Sequence, residues 1–280
     1  STDKDTNTCS DTGSGAAAGT GSVYYLNDIV NSMIIHNDWH SAIKLCVTIG
    51  QSANVLLASA RQQSPRLTTA NVNNRDIIKS GIYAARLRIN GEDSPETEDF
   101  IPFVIKPPKG KTTSKVLLVL PTNSYMAYSN DNLATNSVVA ELLAGKVPVM
   151  SAADLYLNEH REYGLSTYSM HSDGSGVCYS SRLRPILNMR PKYRHWLSPS
   201  LWQLNADLHL TDWLEEKNID FDVMTDEDLH LEGVDLLNRY QVVLTGSHPE
   251  YSSEKMLAAY ESYQLNGGRW IYLGSDGFYW

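Results

Sequence analysis

The stretch Tyr240–Ser253, YQVVLTGSHPEYSS, decides how this chain is read. Val242, Val243 and Leu244 form a short apolar run, largely β-branched and bounded by polar residues, which is the pattern of a buried strand. The run breaks at Gly246, which permits a sharp turn, and Pro249 ends any regular ladder. Ser252 or Ser253 can then cap a helix starting near Glu254. Strand-to-helix turns of this kind belong to open α/β sheets, where ligands bind at the carboxyl ends of the strands. This turn presents Ser247, His248, Glu250 and Tyr251, all able to bond a ligand, although the same side chains also suit a solvated, capped turn.

On the C-terminal side, Glu254–Leu265 reads as a helix closed by Gly267–Gly268, and Trp270–Leu273 as a further strand. On the N-terminal side the readings are a helix over Leu208–Lys217, a strand over Phe221–Met224, and a loop with a short helix over Asp228–Asn238. KVLLVLP, Lys115–Pro121, is a continuous apolar run typical of a strand covered on both faces. Val138–Leu143 has a helical look. Strands alternating with helices predict an α/β fold, a parallel doubly wound sheet with right-handed crossovers. Asp154–Leu201 is long, polar and aromatic without clear period, and such spans inside compact domains tend to be functional. The chain stops after a strand and the turn GSDGFYW, where a parallel sheet calls for a crossover helix, so the native protein is expected to continue.

Before the α/β part, Ile82, Ala84, Arg86 and Arg88 alternate with Tyr83, Ala85, Leu87 and Ile89, which is strand periodicity. The acidic Gly91–Asp99 stretch reads as a hairpin loop and Phe100–Ile105 as the return strand of an antiparallel β segment. Pro107, Pro108 and Gly110 form a linker, placing a boundary near Lys106–Thr113. The expected organisation is a low-complexity tail over 1–22, a β-rich segment over 23–110 that ends a β-sandwich-like domain, and an α/β domain over 111–280, truncated at its C-terminus.

A chain of 280 residues suffices for one large domain or two modest ones. Its net charge of -9, with no basic stripe to offset it, argues against nucleic acid as a partner. The three cysteines, Cys9, Cys46 and Cys178, are scattered without metal-ligand spacing and fit a reducing compartment. No apolar run approaches a membrane span, and the Ser/Thr/Gly/Ala-rich start lacks the basic and apolar regions of a signal peptide. A soluble, cytoplasmic protein without membrane contact is expected.

Several local groups carry chemistry on paper. His36 and His40 flank Trp39 at metal-ligand spacing, but with no third ligand nearby the structural reading is favoured. Ser247 follows a strand where a nucleophile elbow would sit, yet Pro249 occupies the last glycine position of G-x-S-x-G. Cys178 follows no buried strand and reads as a small buried thiol. His171–Gly176, HSDGSG, is too short for a phosphate-binding P-loop and lacks its lysine; a tight turn that lets backbone approach a site fits better. Arg182, Arg184 and Arg190 either hold a carboxylate or buttress the long loop, the second being favoured. Most of the 16 tyrosines are expected to be half-buried packing residues with a bonded hydroxyl.

The segments SGIYAARLR, IPFVIKPPKGK, PTNSYMAYSN, STYSMHSDGSGVCYSSRLRPILNMRP, LTGSHPEYSS and GGRWIYLGSDGFYW occur in this order between about Ser80 and Trp280. Together they resemble the large (beta) subunit of the N,N-dimethylformamidase family. The resemblance implies a glutamine-amidotransferase-like α/β domain and a mononuclear ferric iron bound by two tyrosines and a glutamate. On the matching motifs these ligands are Tyr128, Tyr168 and Glu250, with His248 beside them. It also implies hydrolysis of a small N-substituted amide such as N,N-dimethylformamide to formate and dimethylamine, with a small partner subunit and an oligomeric assembly.

That ligand set is chemically sensible. A tyrosine with its ordinary pKa of about 10 binds as phenolate only when a strong Lewis acid displaces its proton. Two phenolates and a carboxylate are hard, trianionic donors that favour ferric iron, and three protein ligands leave positions open for water and a substrate carbonyl. Asp276 stands where the family's pattern has asparagine, and it joins His248 and Glu250 as a catalytic candidate. Two rival readings are a non-catalytic binding or assembly subunit of the same fold, and a serine or cysteine hydrolase using Ser247 or Cys178. Bound iron separates the first reading from both.

Overall fold

The computed structural model describes residues 56–59, 79–88, 98–133, 142, 145, 147–182, 184–190, 193–197, 200–275 and 277–278. Leu56–Ser59 (β1), Gly81–Arg88 (β2) and Glu98–Ile105 (β3) pair in that order as an antiparallel sheet. The β2–β3 hairpin has Ile82 opposite Val104 and Ala84 opposite Pro102. Pro102 is tolerated because β3 lies at the sheet edge, where a missing N–H leaves no partner unsatisfied.

Val116–Leu120 (β4), Asp222–Thr225 (β5), Val242–Thr245 (β6) and Arg269–Ile271 (β7) make a parallel sheet in the order β5-β4-β6-β7. The expected parallel pairing of the KVLLVLP strand with that of the Tyr240–Ser253 stretch is therefore present. Both faces are buried because VLLVL is apolar throughout. Leu117 and Val119 pack with Met224 and Val243 on one side, while Leu118 and Leu120 pack with Val223 and Leu244 on the other. The first face is covered by Asp226–Glu232 (α4), Val234–Leu237 (α5) and Glu254–Leu265 (α6). The second is covered by Thr122–Ala127 (α1), by Leu204–Glu216 (α3) and by Ile82 of β2. Ala152–Glu159 (α2) lies in the long β4–β5 connection.

Local chemistry explains the element ends. Ser253 caps α6 by accepting from Met256 N–H. At the other end Gly267 adopts φ +84°, and the N–H groups of Gly267 and Gly268 bond Gln264 and Tyr263 carbonyls at 2.9 Å, a Schellman closure. Thr225 and Asp228 form a reciprocal capping box that starts α4 at Asp226, ahead of the loop expected there, and Gly233 at φ +62° separates α4 from α5. A second box, Ser151 with Asp154, starts α2 within a stretch that reads as irregular. Helix α3 begins at Leu204 rather than Leu208, because Asn205 and Asp207, which look like loop residues, are buried on its inner side. His36, Trp39, His40, Cys9, Cys46, Asp276, the loop over residues 91–97 and most of Val138–Leu143 lie outside the described residues.

The two sheets are tied together. Ser80 Oγ donates to Ile105 O at 3.0 Å and accepts from Val223 N–H at 2.8 Å. Lys106 Nζ meets Asp228 Oδ1 at 2.6 Å, and Thr113 N–H donates to the buried Asp222 at 2.8 Å. Among the described residues no helix is long and apolar enough to cross a membrane. In the parallel sheet β4 connects towards β5 and β6 towards β7, so the chain leaves these neighbours in opposite directions. This opens a crevice at their carboxyl ends, the usual ligand position in such sheets.

Candidate active site

The turn after β6 enters this crevice under tight steric control. A Cβ at Gly246 would fall 2.4 Å from Pro121 Cδ and 2.6 Å from Asp207 Oδ2, so glycine is required by close approach rather than by its backbone angle. Asp207, fully buried on α3, accepts from Ser247 N–H and from the Tyr125 hydroxyl. Burial raises the pKa of Asp207, partly countered by these hydrogen bonds. The turn is also held from α1, where Ser124 Oγ accepts from Glu250 N–H at 2.9 Å.

Glu250 is the focus of the site and is 8% exposed. Tyr128, at the C-cap of α1, donates to Glu250 Oε2 at 2.7 Å. Tyr168 approaches the other oxygen, Oε1, at 3.3 Å, and its hydroxyl also meets that of Tyr251. The Tyr128 and Tyr168 rings stack with centroids 4.3 Å apart and planes 14° apart. His248 Nε2 lies 2.9 Å from Glu250 Oε2. The three residues that the motifs single out, Tyr128, Tyr168 and Glu250, are thus brought together with His248, although they are far apart in sequence. Burial, followed by hydrogen bonds to Tyr168 and Glu250, pushes the Tyr128 phenol well above its ordinary range. Burial likewise raises Tyr168.

The long β4–β5 connection delivers Tyr168 to Tyr128. Thr167 Oγ1 donates to Ala127 O at 2.9 Å, fastening the loop to the end of α1. Arg184 sits behind it, bonding Gly164 O at 2.6 Å, Ser129 O at 2.9 Å and Ser181 O at 2.6 Å. Its guanidinium buttresses the loop, and burial lowers its pKa to about 10. Arg182 pairs with Glu227 and Arg190 bonds Ile186 O, so neither is spent on the tyrosines' carboxylate. Asn188 Nδ2 supports Tyr128 O at 2.6 Å.

Other candidates fall elsewhere. Ser247 is bonded to Asp207 through its amide and side chain, while His248 turns to Glu250, so no serine–histidine pair forms. Cys178 is exposed, not the buried thiol expected, because it lies at the surface end of the His171–Gly176 turn with its thiol on Gly176 O. That turn is itself exposed, and a Cβ at Gly174 or Gly176 would meet nothing within 4 Å, so its glycines do not serve close backbone approach. A cavity of about 500 Å³ lies against α1, lined by Phe103, Met126, Ile186 and Met189 together with Arg182 and Arg190. Tyr128, Tyr168, His248 and Glu250 do not line it.

Two contributors were not legible as site residues. Trp202 packs against His248 at 5.0 Å and edge-on to Tyr128 at 5.7 Å between centroids, and its other neighbour His195 stacks on it at 4.6 Å. Its indole N–H is buried without a hydrogen-bond partner among the described residues. Asp207 had a usable signal, since a carboxylate occupies the buried 204, 207, 211, 214 line of α3.

Among the described residues, no group of three or more His, Cys, Asp or Glu side chains could hold a metal, and the oxygens that face the Glu250 carboxylate are those of Tyr128 and Tyr168. The donor set fits a hard, highly charged ion. Two phenol oxygens bracket one carboxylate, and the half-buried phenols stay protonated until a Lewis acid displaces their protons. Fold and site therefore define a class: a parallel α/β protein with a tyrosine–carboxylate centre at the mouth of its central strands. The family model described as N,N-dimethylformamidase beta subunit-like, C-terminal, matches residues 66–280, and the chain belongs to that family. It is 47% identical over 206 residues to the N,N-dimethylformamidase beta subunit of Paracoccus aminophilus, a match covering 73% of this chain and 26% of the relative. To the N,N-dimethylformamidase beta subunit of Alcaligenes sp it is 45% identical over 204 residues, covering 72% of this chain and 26% of the relative. The matched region is thus about a quarter of each relative's length.

Proposed function

We propose that this chain carries the metal centre of an amidohydrolase that cleaves a small N-substituted amide, such as N,N-dimethylformamide, to formate and dimethylamine. The observation that carries the reading is the convergence of Tyr128 and Tyr168 on the two carboxylate oxygens of Glu250. Tyr128, Tyr168 and Glu250 would hold one ferric ion. Such an ion supplies Lewis acidity towards an amide oxygen or a water, with no redox change.

The chain's own groups do the rest. Glu250 is fixed by Ser124 at its amide and by β6 behind it, so its carboxylate keeps its place. His248, with its Nε2 towards Glu250, is placed to take a proton from the attacking water or give one to the departing amine. The Tyr128, Tyr168 and Trp202 rings keep bulk water from the reacting group. In this reading residues 111–280 form a glutamine-amidotransferase-like catalytic unit, residues 23–110 end a β-sandwich-like domain, and Asp276 is a further catalytic candidate. On the same reading the protein is cytoplasmic and oligomeric with a small partner subunit; the relatives' designation as beta subunits supports the presence of another subunit.

The test is an assay of formate release from N,N-dimethylformamide before and after metal removal. The expected result is loss of turnover on stripping and recovery with iron but not with magnesium. Full turnover by metal-free protein, abolished by a serine- or thiol-directed reagent, would contradict it.

A further inference from the structure

Three tyrosine hydroxyls, not two, gather at Glu250. Tyr251 follows Glu250 in the same turn, and its hydroxyl meets that of Tyr168, which itself approaches Glu250 Oε1 at 3.3 Å. Its backbone is clamped by α1: Tyr251 N–H reaches Ser124 Oγ at 3.4 Å, and Tyr251 O accepts from Asn123 Nδ2 at 3.2 Å. The clamp keeps the ring at the crevice edge, on the side of Tyr168 rather than of Tyr128, which gives its hydroxyl to Glu250.

We propose that Tyr251 is a positioning residue whose hydroxyl donates to Tyr168 Oη and so sets the electron density of that oxygen. This rests on the reading that Tyr168 binds metal as phenolate. The direction of the bond then follows from chemistry. A phenolate has no proton, so in a contact between these two oxygens only Tyr251 can donate. A charge-assisted bond of this kind is about twice as strong as a neutral one and withdraws density from its acceptor. Tyr168 becomes a poorer donor than Tyr128, and the metal a stronger Lewis acid. The two protein phenolates are thereby unequal, although both come from the same residue type. Partners that bond metal ligands in this way commonly change metal affinity or activity by about 10–100-fold.

The experiment compares Tyr251→Phe with Tyr168→Phe and the parent protein by metal content, visible absorption and turnover. Removing a donor to a phenolate raises its electron density and lowers the energy of its charge transfer to iron. The expected result for Tyr251→Phe is parent-level metal, a phenolate-to-iron band moved to longer wavelength, and kcat lowered about tenfold. An unmoved band overturns the proposal. Metal loss equal to that of Tyr168→Phe also overturns it, by making Tyr251 a ligand. A parent protein that binds metal without any phenolate band removes the reading of the site, and this proposal with it.

Discussion

Glu250 shares its two oxygens between Tyr128 and Tyr168 and still reaches His248, so each neighbour can be removed separately. His248→Gln should keep the metal and slow turnover by about 10²-fold, the usual share of a general acid–base group, as read by kcat at parent-level metal content. An unchanged kcat would leave His248 as an orienting group only. Gly246→Ala is a packing test of the same turn. Its Cβ would meet Pro121 and Asp207, and overpacking of this kind costs about 1–3 kcal/mol, measurable by denaturant titration. Much of this site could be read from residues alone because Glu250 and His248 follow a strand that announces itself. Tyr128 and Tyr168 could be placed only through their motifs, since both lie in loop-like stretches without a clear period. Ser124 and Trp202 were missed because their roles depend on which elements meet, and local spacing carries no trace of that.

At the scale of elements, the β5–α4 junction carries an unusual acid. Asp226 is buried at the start of α4 and accepts from Asn123 N–H at 2.9 Å. Burial raises its pKa to about 8, with that hydrogen bond opposing the shift and the Asp207 charge adding to it. The folded state therefore holds a proton that the unfolded chain, with an aspartate pKa of about 3.9, gives up earlier. This contribution to stability is full below about pH 4 and is lost as pH rises towards about 8. Asp226→Asn should flatten that decline, seen in melting temperatures measured from pH 5 to pH 8 in both proteins. Equal slopes would show that Asp226 is ionised in the fold. The strands were legible from apolar runs and the α6 ends from Ser253 and Gly267, whereas α2 and the early turns of α3 were hidden by polar residues that tertiary contacts bury.

For the whole molecule, the antiparallel sheet is part of the same packing as the parallel one. Ile82 is 5% exposed and lies in one cluster with Leu118, Leu120 and Val223. Ile82→Ala should cost about 2–5 kcal/mol and lower the stability of the α/β part, as followed by the fluorescence of Trp202 and Trp270. Loss confined to the β2–β3 hairpin would mean that the sheets fold independently. The account as a whole turns on the phenolate centre. Its most direct test is metal analysis of the purified protein with its visible spectrum, alongside Tyr128→Phe. The account predicts iron near one per chain, a phenolate-to-iron absorption band, and loss of that band and of most metal in Tyr128→Phe. Iron bound without such a band, or a Tyr128→Phe protein that keeps band, metal and full turnover of N,N-dimethylformamide, would contradict it.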